Sequence, residues 1–325
     1  MRLIPTLVIG LAVLLLPVQA QALPVFAHRY GLTCQACHTT VPHLNAFGQA
    51  FLRNGFQLPQ AARGVVPIAV KVNLAYTSDP DPGGLPKGVV DEVELLTGGA
   101  IGSHVNYFIE QYALDGGVAG SLRDAWVQYN TGGIMHVRAG QFTLPLPVDP
   151  ETERDTEAHY LIYDQTVGDN PFAFFDARPG AEAYVLAPNG DELHLAAFTK
   201  GQAMAYGAKT FGDFTLYGYR YQGRGFFRQG AGARQRIGKF DLAAVLQRGK
   251  DPGANSSGGF AEAHYAFSPA LTAVARYDRI FDSLQGAQHQ TVFSLVTRPA
   301  RNMRFTIEDQ ITDHHALNMA LLFAY

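Results

Sequence analysis

The sequence predicts an all-β chain: a transmembrane antiparallel β-barrel of about sixteen strands carrying a short N-terminal c-type haem segment. Three observations lead there. Charged residues make up only 16% of the 325 positions, against about 25% in soluble domains, while glycine (34), tyrosine (15) and phenylalanine (21) are abundant. From about residue 64 to the C-terminus, segments of roughly ten residues alternate apolar and polar side chains, as strands between lipid and a wet lumen must. Near the N-terminus stands Cys34-Gln35-Ala36-Cys37-His38, which holds the only two cysteines of the chain.

The leader comes first. Arg2 supplies a positive start, Leu3 to Leu16 is an uncharged apolar run, and Ala20-Gln21-Ala22 has the form of a signal-peptidase site. Residues 1–22 are therefore expected to be a signal peptide, with the mature chain starting at Leu23. The run is shorter than the roughly 20 residues a spanning helix needs, and no later stretch reaches that length. The exported remainder enters a compartment that tolerates oxidised thiols.

The pentapeptide carries the chemistry. C-x-x-C-H spaces two thiols to form thioethers with one porphyrin and places an imidazole next to them for the iron. A thioredoxin-type pair would need a βαβ setting, and a structural zinc site would need a second ligand pair; neither is present. Cys34, Cys37 and His38 are thus the expected attachment and proximal-ligand residues of one covalent haem c. For the sixth position His28 is the favoured candidate, since it precedes the motif by enough residues to fold over the ring. His43 stands close to His38, while His104, His136 and His194 become candidates if the group sits in the lumen. No methionine lies between Met1 and Met135, so a methionine ligand would have to come from the barrel. Phe26, Tyr30, Phe47, Phe51 and Phe56 are expected either to pack on the macrocycle or to form ordinary core.

Residues 23–63 make this haem segment, and residues 64–325 make the barrel. About forty residues are too few to enclose a macrocycle in a core of their own, so the barrel must lend walls. Its alternation is explicit. Val70, Val72, Leu74 and Tyr76 oppose Lys71 and Asn73; Val105, Tyr107 and Ile109 oppose His104, Asn106 and Glu110. Met303, Phe305 and Ile307 oppose Arg304, Thr306 and Glu308, and Leu317, Met319, Leu321, Phe323 and Tyr325 share a final face. Short connections are expected at Gly98-Gly99, Thr131-Gly132-Gly133, Asn189-Gly190, Gly212-Asp213, Gly238-Lys239, Ser268-Pro269 and Arg298-Pro299. Longer ones are expected at Ser78–Gly88, Leu144–Arg178, Lys250–Gly258 and Asp282–Ala287, in the alternation of periplasmic turns and extracellular loops. A soluble β-sandwich is the competing class.

In the Leu144–Arg178 loop, Asp149, Glu151, Glu153, Asp155 and Glu157 form an acidic stretch relieved only by Arg154. At a pore mouth it would concentrate cations; otherwise it is a solvated loop. It lacks the spacing of a calcium loop. The formal net charge of −3 offers nucleic acid no attraction.

The stretch Phe26-Ala-His-Arg-Tyr-Gly31-Leu-Thr-Cys34-Gln-Ala-Cys37-His38, then Pro42-His-Leu44-Asn45-Ala-Phe47-Gly48-Gln-Ala-Phe51 and Gly55-Phe56, resembles the outer-membrane cytochrome–porin fusions of iron-oxidising bacteria. That family has a signal peptide, one CxxCH near the mature N-terminus and a porin-like barrel ending in an aromatic residue. Gly140-Gln141-Phe142-Thr-Leu-Pro145 resembles a porin strand entering its large loop. The resemblance implies an outer-membrane protein, with its haem segment in the lumen or on the periplasmic side. It would pass electrons from an extracellular donor such as Fe(II) to a periplasmic carrier. Two other classes remain open: a haem enzyme of peroxidase or reductase type, and a diffusion porin plugged by its haem segment.

Overall fold

The computed structural model describes residues 26, 30–38, 44–54, 56, 58, 68–78, 88–300 and 302–324. The expected barrel is present and closed. Its first quarter is β1 (Ile68–Thr77), β2 (Val89–Ala100), β3 (Val105–Asp115) and β4 (Leu122–Asn130), with Val118–Ala119 bridged to β3 just before β4. Next come β5 (Met135–Phe142), β6 (Arg178–Leu186), β7 (Glu192–Phe198) and β8 (Gln202–Phe211). They are followed by β9 (Phe214–Gly223), β10 (Phe226–Ile237), β11 (Phe240–Asp251) and β12 (Ala254–Ser268). The last four are β13 (Leu271–Asp282), β14 (Gly286–Thr297), β15 (Met303–Ile311) and β16 (His315–Ala324).

Each strand pairs antiparallel with its sequence neighbours, and β16 returns to β1 through Lys71↔Ala324 to Thr77↔Asn318. Closure gives every backbone donor and acceptor a partner across the hydrocarbon layer and removes sheet edges. An open sandwich is thereby excluded. No helix among the described residues is long and apolar enough to cross a membrane.

Alternation sorts the side chains as the sequence implies. In β11, Leu246 is 72% exposed and its neighbour Val245 only 1%. Lys71, Asn73, Asn106, Glu110, Arg304, Thr306 and Glu308 all stand on the inner, buried or half-buried face. Tight connections do the rest. Gly212 adopts φ +62°, a conformation open to glycine without a Cβ penalty, in the two-residue link between β8 and β9.

Three expected connections differ. Gly98-Gly99 is not a turn but part of β2; the chain reverses at residues 101–104. A Cβ on Gly98 would stand 2.9 Å from the Phe26 ring and 3.0 Å from that of Phe108. That glycine makes a dent in the wall where the N-terminal segment presses on it. Lys250–Gly258 is strand except for Pro252-Gly253, and Asp282–Ala287 reverses through residues 283–285, because Asp251↔Ala254 and Asp282↔Gly286 pair across them. One rim is therefore short turns throughout, whereas the opposite rim owes its bulk chiefly to residues 143–177.

Those residues do not project outward. They run down the lumen and include a short helix, α3 (Leu161–Asp164), with Leu144, Tyr160, Ile162, Tyr163 and Phe174 each at most 2% exposed. Their apolar side chains join Tyr219, Tyr221, Val245 and Phe260 of the wall in one core cluster.

Candidate functional site in the barrel lumen

The N-terminal segment lies against the same lumen. α1 (Cys34–Cys37) and α2 (Ala46–Arg53) pack at close range. Asn45 caps α2, with its Oδ1 accepting from Gly48 N at 2.9 Å, while its Nδ2 donates to Ala36 O at 3.0 Å. The Asn45 amide donates to Cys37 O at 2.8 Å. One asparagine thus links the cap of α2 to the Cys34–Cys37 turn. Gly48 permits the approach, since a Cβ there would lie 2.1 Å from Cys37 O. Gly48→Ala is expected to push the two helices apart at a cost of at least about 1–3 kcal/mol. The check is faster protease cleavage before residue 68 in a chain whose barrel still migrates as folded.

Three contacts place the segment. Leu44 N donates to Thr152 O of the internal loop at 2.9 Å, and Asn130 Nδ2 of β4 donates to Asn54 O at 3.2 Å. Phe56 stacks on Trp126 at 5.8 Å and meets Phe108 at 5.3 Å. The rings singled out in the sequence pack on one another: Phe26 on Phe56 at 4.0 Å, Phe26 on Phe51 at 5.4 Å, Tyr30 on Phe51 at 5.6 Å. Phe47 is 44% exposed and borders open space.

That space is a cavity of about 1030 Å³, at the upper end of the roughly 300–1,000 Å³ usual for ligand pockets. Cys37 and His38 line it together with Phe26, Phe47, Phe51 and Phe56. The opposite wall carries Glu94 paired to Lys71, Glu110, Asp124, and Arg138 paired to Glu182 at 2.7 Å. Gly133, Asn189 and Gly212 also border it, so it reaches the short-turn rim.

His28, His43 and the side chain of Cys34 lie outside the described residues. Among the other histidines named from sequence, His136 shares the cavity with His38. Asn130 Oδ1 lies 2.7 Å from His136 Nδ1, and an amide oxygen only accepts, so Nδ1 is the donor in this contact. His194 does not compete: its two ring nitrogens face Glu182 at 2.9 Å and Glu192 at 3.2 Å. His104 is exposed at the rim, bonded to Asn130 O at 2.9 Å. No group of three metal-ligating side chains forms among the described residues.

The acidic stretch is neither a solvated loop nor a cation trap. Glu151 pairs with Arg123 at 2.7 Å, Glu153 with Arg234, Asp155 with His264 at 3.3 Å, and Glu157 with Arg304 at 3.1 Å. Asp149 accepts from the amides of Glu151 at 2.8 Å and Thr152 at 3.0 Å; burial nevertheless pushes its carboxyl up to about 6. The acids pin the loop to the wall, because a charge taken from water needs an opposite partner. Asp164, at the end of α3, is held below the usual carboxylate range by its hydrogen bond to His159.

Sequence reasoning missed the basic partners Arg234, His264, Arg276 and Arg304, as well as Gly48, Gly98 and Trp126. Cations on the inward faces of β10, β12, β13 and β15, opposite a loop with acids at alternate positions, were the available signal.

No protein-family description matches the sequence, and no curated protein does. Solved structures do. The anion-selective porin of Comamonas acidovorans aligns at a TM-score of 0.63 and 12% identity, covering 80% of this chain and 99% of that one. The fold is that of an outer-membrane porin. OmpF of Salmonella typhi, solved with daunomycin, gives 0.64 at 11% identity over 80% and 97%. The channel DcaP of Acinetobacter baumannii gives 0.56 at 11% identity over 83% and 99%. Identities this low speak for the fold alone.

Proposed function

We propose that this protein is an outer-membrane c-type cytochrome of the cytochrome–porin kind, moving electrons from extracellular Fe(II) to a periplasmic carrier. One observation carries the proposal: the attachment pentapeptide lies in a segment packed inside a closed barrel, with Cys37 and His38 bordering a ring-lined cavity. The residues fit the group. Cys34 and Cys37 would hold it by thioethers and His38 would ligate its iron, while Phe26, Phe47, Phe51 and Phe56 offer apolar faces of matching chemistry. When bound, haem c supplies a one-electron iron couple.

The surrounding chain does two things. Its wall keeps lipid from the cavity, which reaches the short-turn rim where a soluble carrier would dock. Packed rings then extend from the segment toward the other rim. Trp126 and Phe142 lie under the Arg138 guanidinium at 5.4 and 4.3 Å, Phe142 meets Phe198 at 5.6 Å, and Phe198 meets Tyr221 at 5.9 Å. Tyr221 continues to Phe174 of the internal loop at 5.9 Å. The hydrocarbon layer is about 30 Å thick, and tunnelling through packed side chains decays less steeply than through empty space. A lumenal redox centre shortens the gap on both sides. The porin neighbours favour a second reading, a diffusion channel plugged by its N-terminal segment.

Mixing the purified protein with Fe(II) is expected to raise reduced c-type α and Soret bands on a stopped-flow timescale. Absence of reduction across the pH range in which the barrel stays folded would remove ferrous iron as the donor.

A further inference from the structure

The lipid-facing surface of β9 to β14 carries a belt of cations near one rim, while the outward Lys209 of β8, at the other rim, is paired with Asp191. Arg220 of β9, Arg248 and Lys250 of β11, Arg279 of β13 and His289 of β14 all point outward and are exposed. Register places them in adjoining rows: Arg220↔Gln229, Gln229↔Arg248, Arg248↔Ser257, and then Gly259↔Arg279 and Arg279↔His289. Lys250 faces Asn255 and Phe227 one pleat nearer the rim. All five lie close to the connections of the rim from which the long loop departs, the extracellular side in barrels of this plan. At the other rim the same strands turn Leu216, Leu242, Phe267, Leu271 and Leu295 to the lipid.

Arginine on a lipid face costs about 2–4 kcal/mol at the bilayer midplane and about 0–1 near the interface. The belt therefore belongs at headgroup depth. Arg248, Lys250 and Arg279 have no carboxylate partner among the described residues. Arg220 is held in place without being neutralised: Nη1 donates to Gln229 at 2.7 Å, Nη2 to Gln222 at 3.0 Å, and the guanidinium covers Phe227 at 4.5 Å. Its remaining N–H groups are available. The nearest outward carboxylate past the row, Asp309 of β15, already faces His315 at 3.4 Å.

A second, independent feature adjoins the belt. A groove of about 540 Å³ runs over the outer face of β6 to β8, floored by Ala183, Ala197, Ala203 and Ala205 and edged by Arg220 and Gln222. Alanines leave a shallow apolar trough, edged by a fixed cation. We propose that this surface binds a phosphorylated, acylated glycolipid of the outer leaflet, its headgroup phosphates on the arginine belt and an acyl chain in the alanine groove. Arginine suits the headgroup because its planar fork meets phosphate oxygens two at a time.

The test uses the full-length protein in neutral detergent, titrated with bis-phosphorylated lipid A and read by native mass spectrometry. Lipid A is expected to bind the wild type, with affinity falling as sodium chloride is raised. Combined Arg220→Gln, Arg248→Gln and Arg279→Gln should weaken it about tenfold or more, and dephosphorylated lipid A should bind no better than the variant binds lipid A. Equal retention by wild type and variant, salt-independent binding, or displacement by equimolar inorganic phosphate would each overturn the proposal. The salt series on the wild type keeps the test decisive if the triple variant assembles poorly.

Discussion

Exchanging Cys34 and Cys37 together for alanine is expected to remove covalent haem completely and to leave the barrel standing. Among the described residues no barrel-strand pairing involves a residue before Ile68, and β1 closes on β16 without the segment. The segment nevertheless holds the lumen through Phe56 on Trp126 and Leu44 on Thr152, contacts that need neither thiol. Mature wild-type chains, once denatured, should keep a haem stain and the mass of one tetrapyrrole; the double variant should show neither. Fe(II)-driven reduction should fall to background, while conductance in planar bilayers stays of the same order. A stain that survives denaturation in the double variant refutes the attachment. A wild type that never carries haem leaves the plugged-channel reading standing alone.

Arg276→Ala is expected to free the internal loop. The guanidinium is wholly buried, bonding Asp278 at 2.6 Å, Thr156 Oγ1 at 2.6 Å, Ala158 O at 2.7 Å and His159 O at 3.0 Å, with its carbon 4.3 Å over the Tyr160 ring. Truncation leaves Asp278 buried without its cation and takes one donor each from Thr156 Oγ1, Ala158 O and His159 O, although Thr156 still donates to Ala158 O and Gln290 to His159 O; the loss is about 3–5 kcal/mol. Arg276→Lys restores the charge but not the fork, so it should recover only part. Larger single-channel conductance and new protease cuts between residues 150 and 160 are the expected readouts. If conductance and cleavage match the wild type, the loop is held elsewhere. Glu308 is the alternative anchor, because it accepts from the amides of Glu157 at 2.8 Å and Ala158 at 2.9 Å.

The internal loop also bears on how cations reach the site. Its five acids offered the simplest reason to expect ferrous iron at the mouth, and four of them are paired to the wall while the fifth accepts backbone amides. Asp149, Glu151 and Glu153 of the loop do line the cavity, but with their carboxylates engaged in this way; Glu94, Glu110, Asp124 and Glu192 of the wall line it too, with Lys71 and Arg138 among them. The donor assignment consequently rests on the N-terminal resemblance and on the reduction experiment, not on the loop.

Much of the architecture was legible one strand at a time. Whether a side chain meets lipid or lumen depends on its own parity along the strand, so Lys71, Asn106 and Glu308 could be turned inward from their immediate neighbours. The reading of an attachment motif is equally local, since it rests on two thiols and an imidazole within five residues and stays an expectation until haem is looked for. Tertiary structure decided the rest. Glu153 finds Arg234 and Thr156 finds Arg276 across separations of 81 and 120 residues, and no periodicity encodes which wall a loop will choose. Gly98 looks like a turn beside Gly99, yet it is a dent, because only the folded segment brings Phe26 against it. Period and spacing belong to a stretch of chain, whereas burial, charge pairing and cavity belong to surfaces that meet only when the cylinder closes.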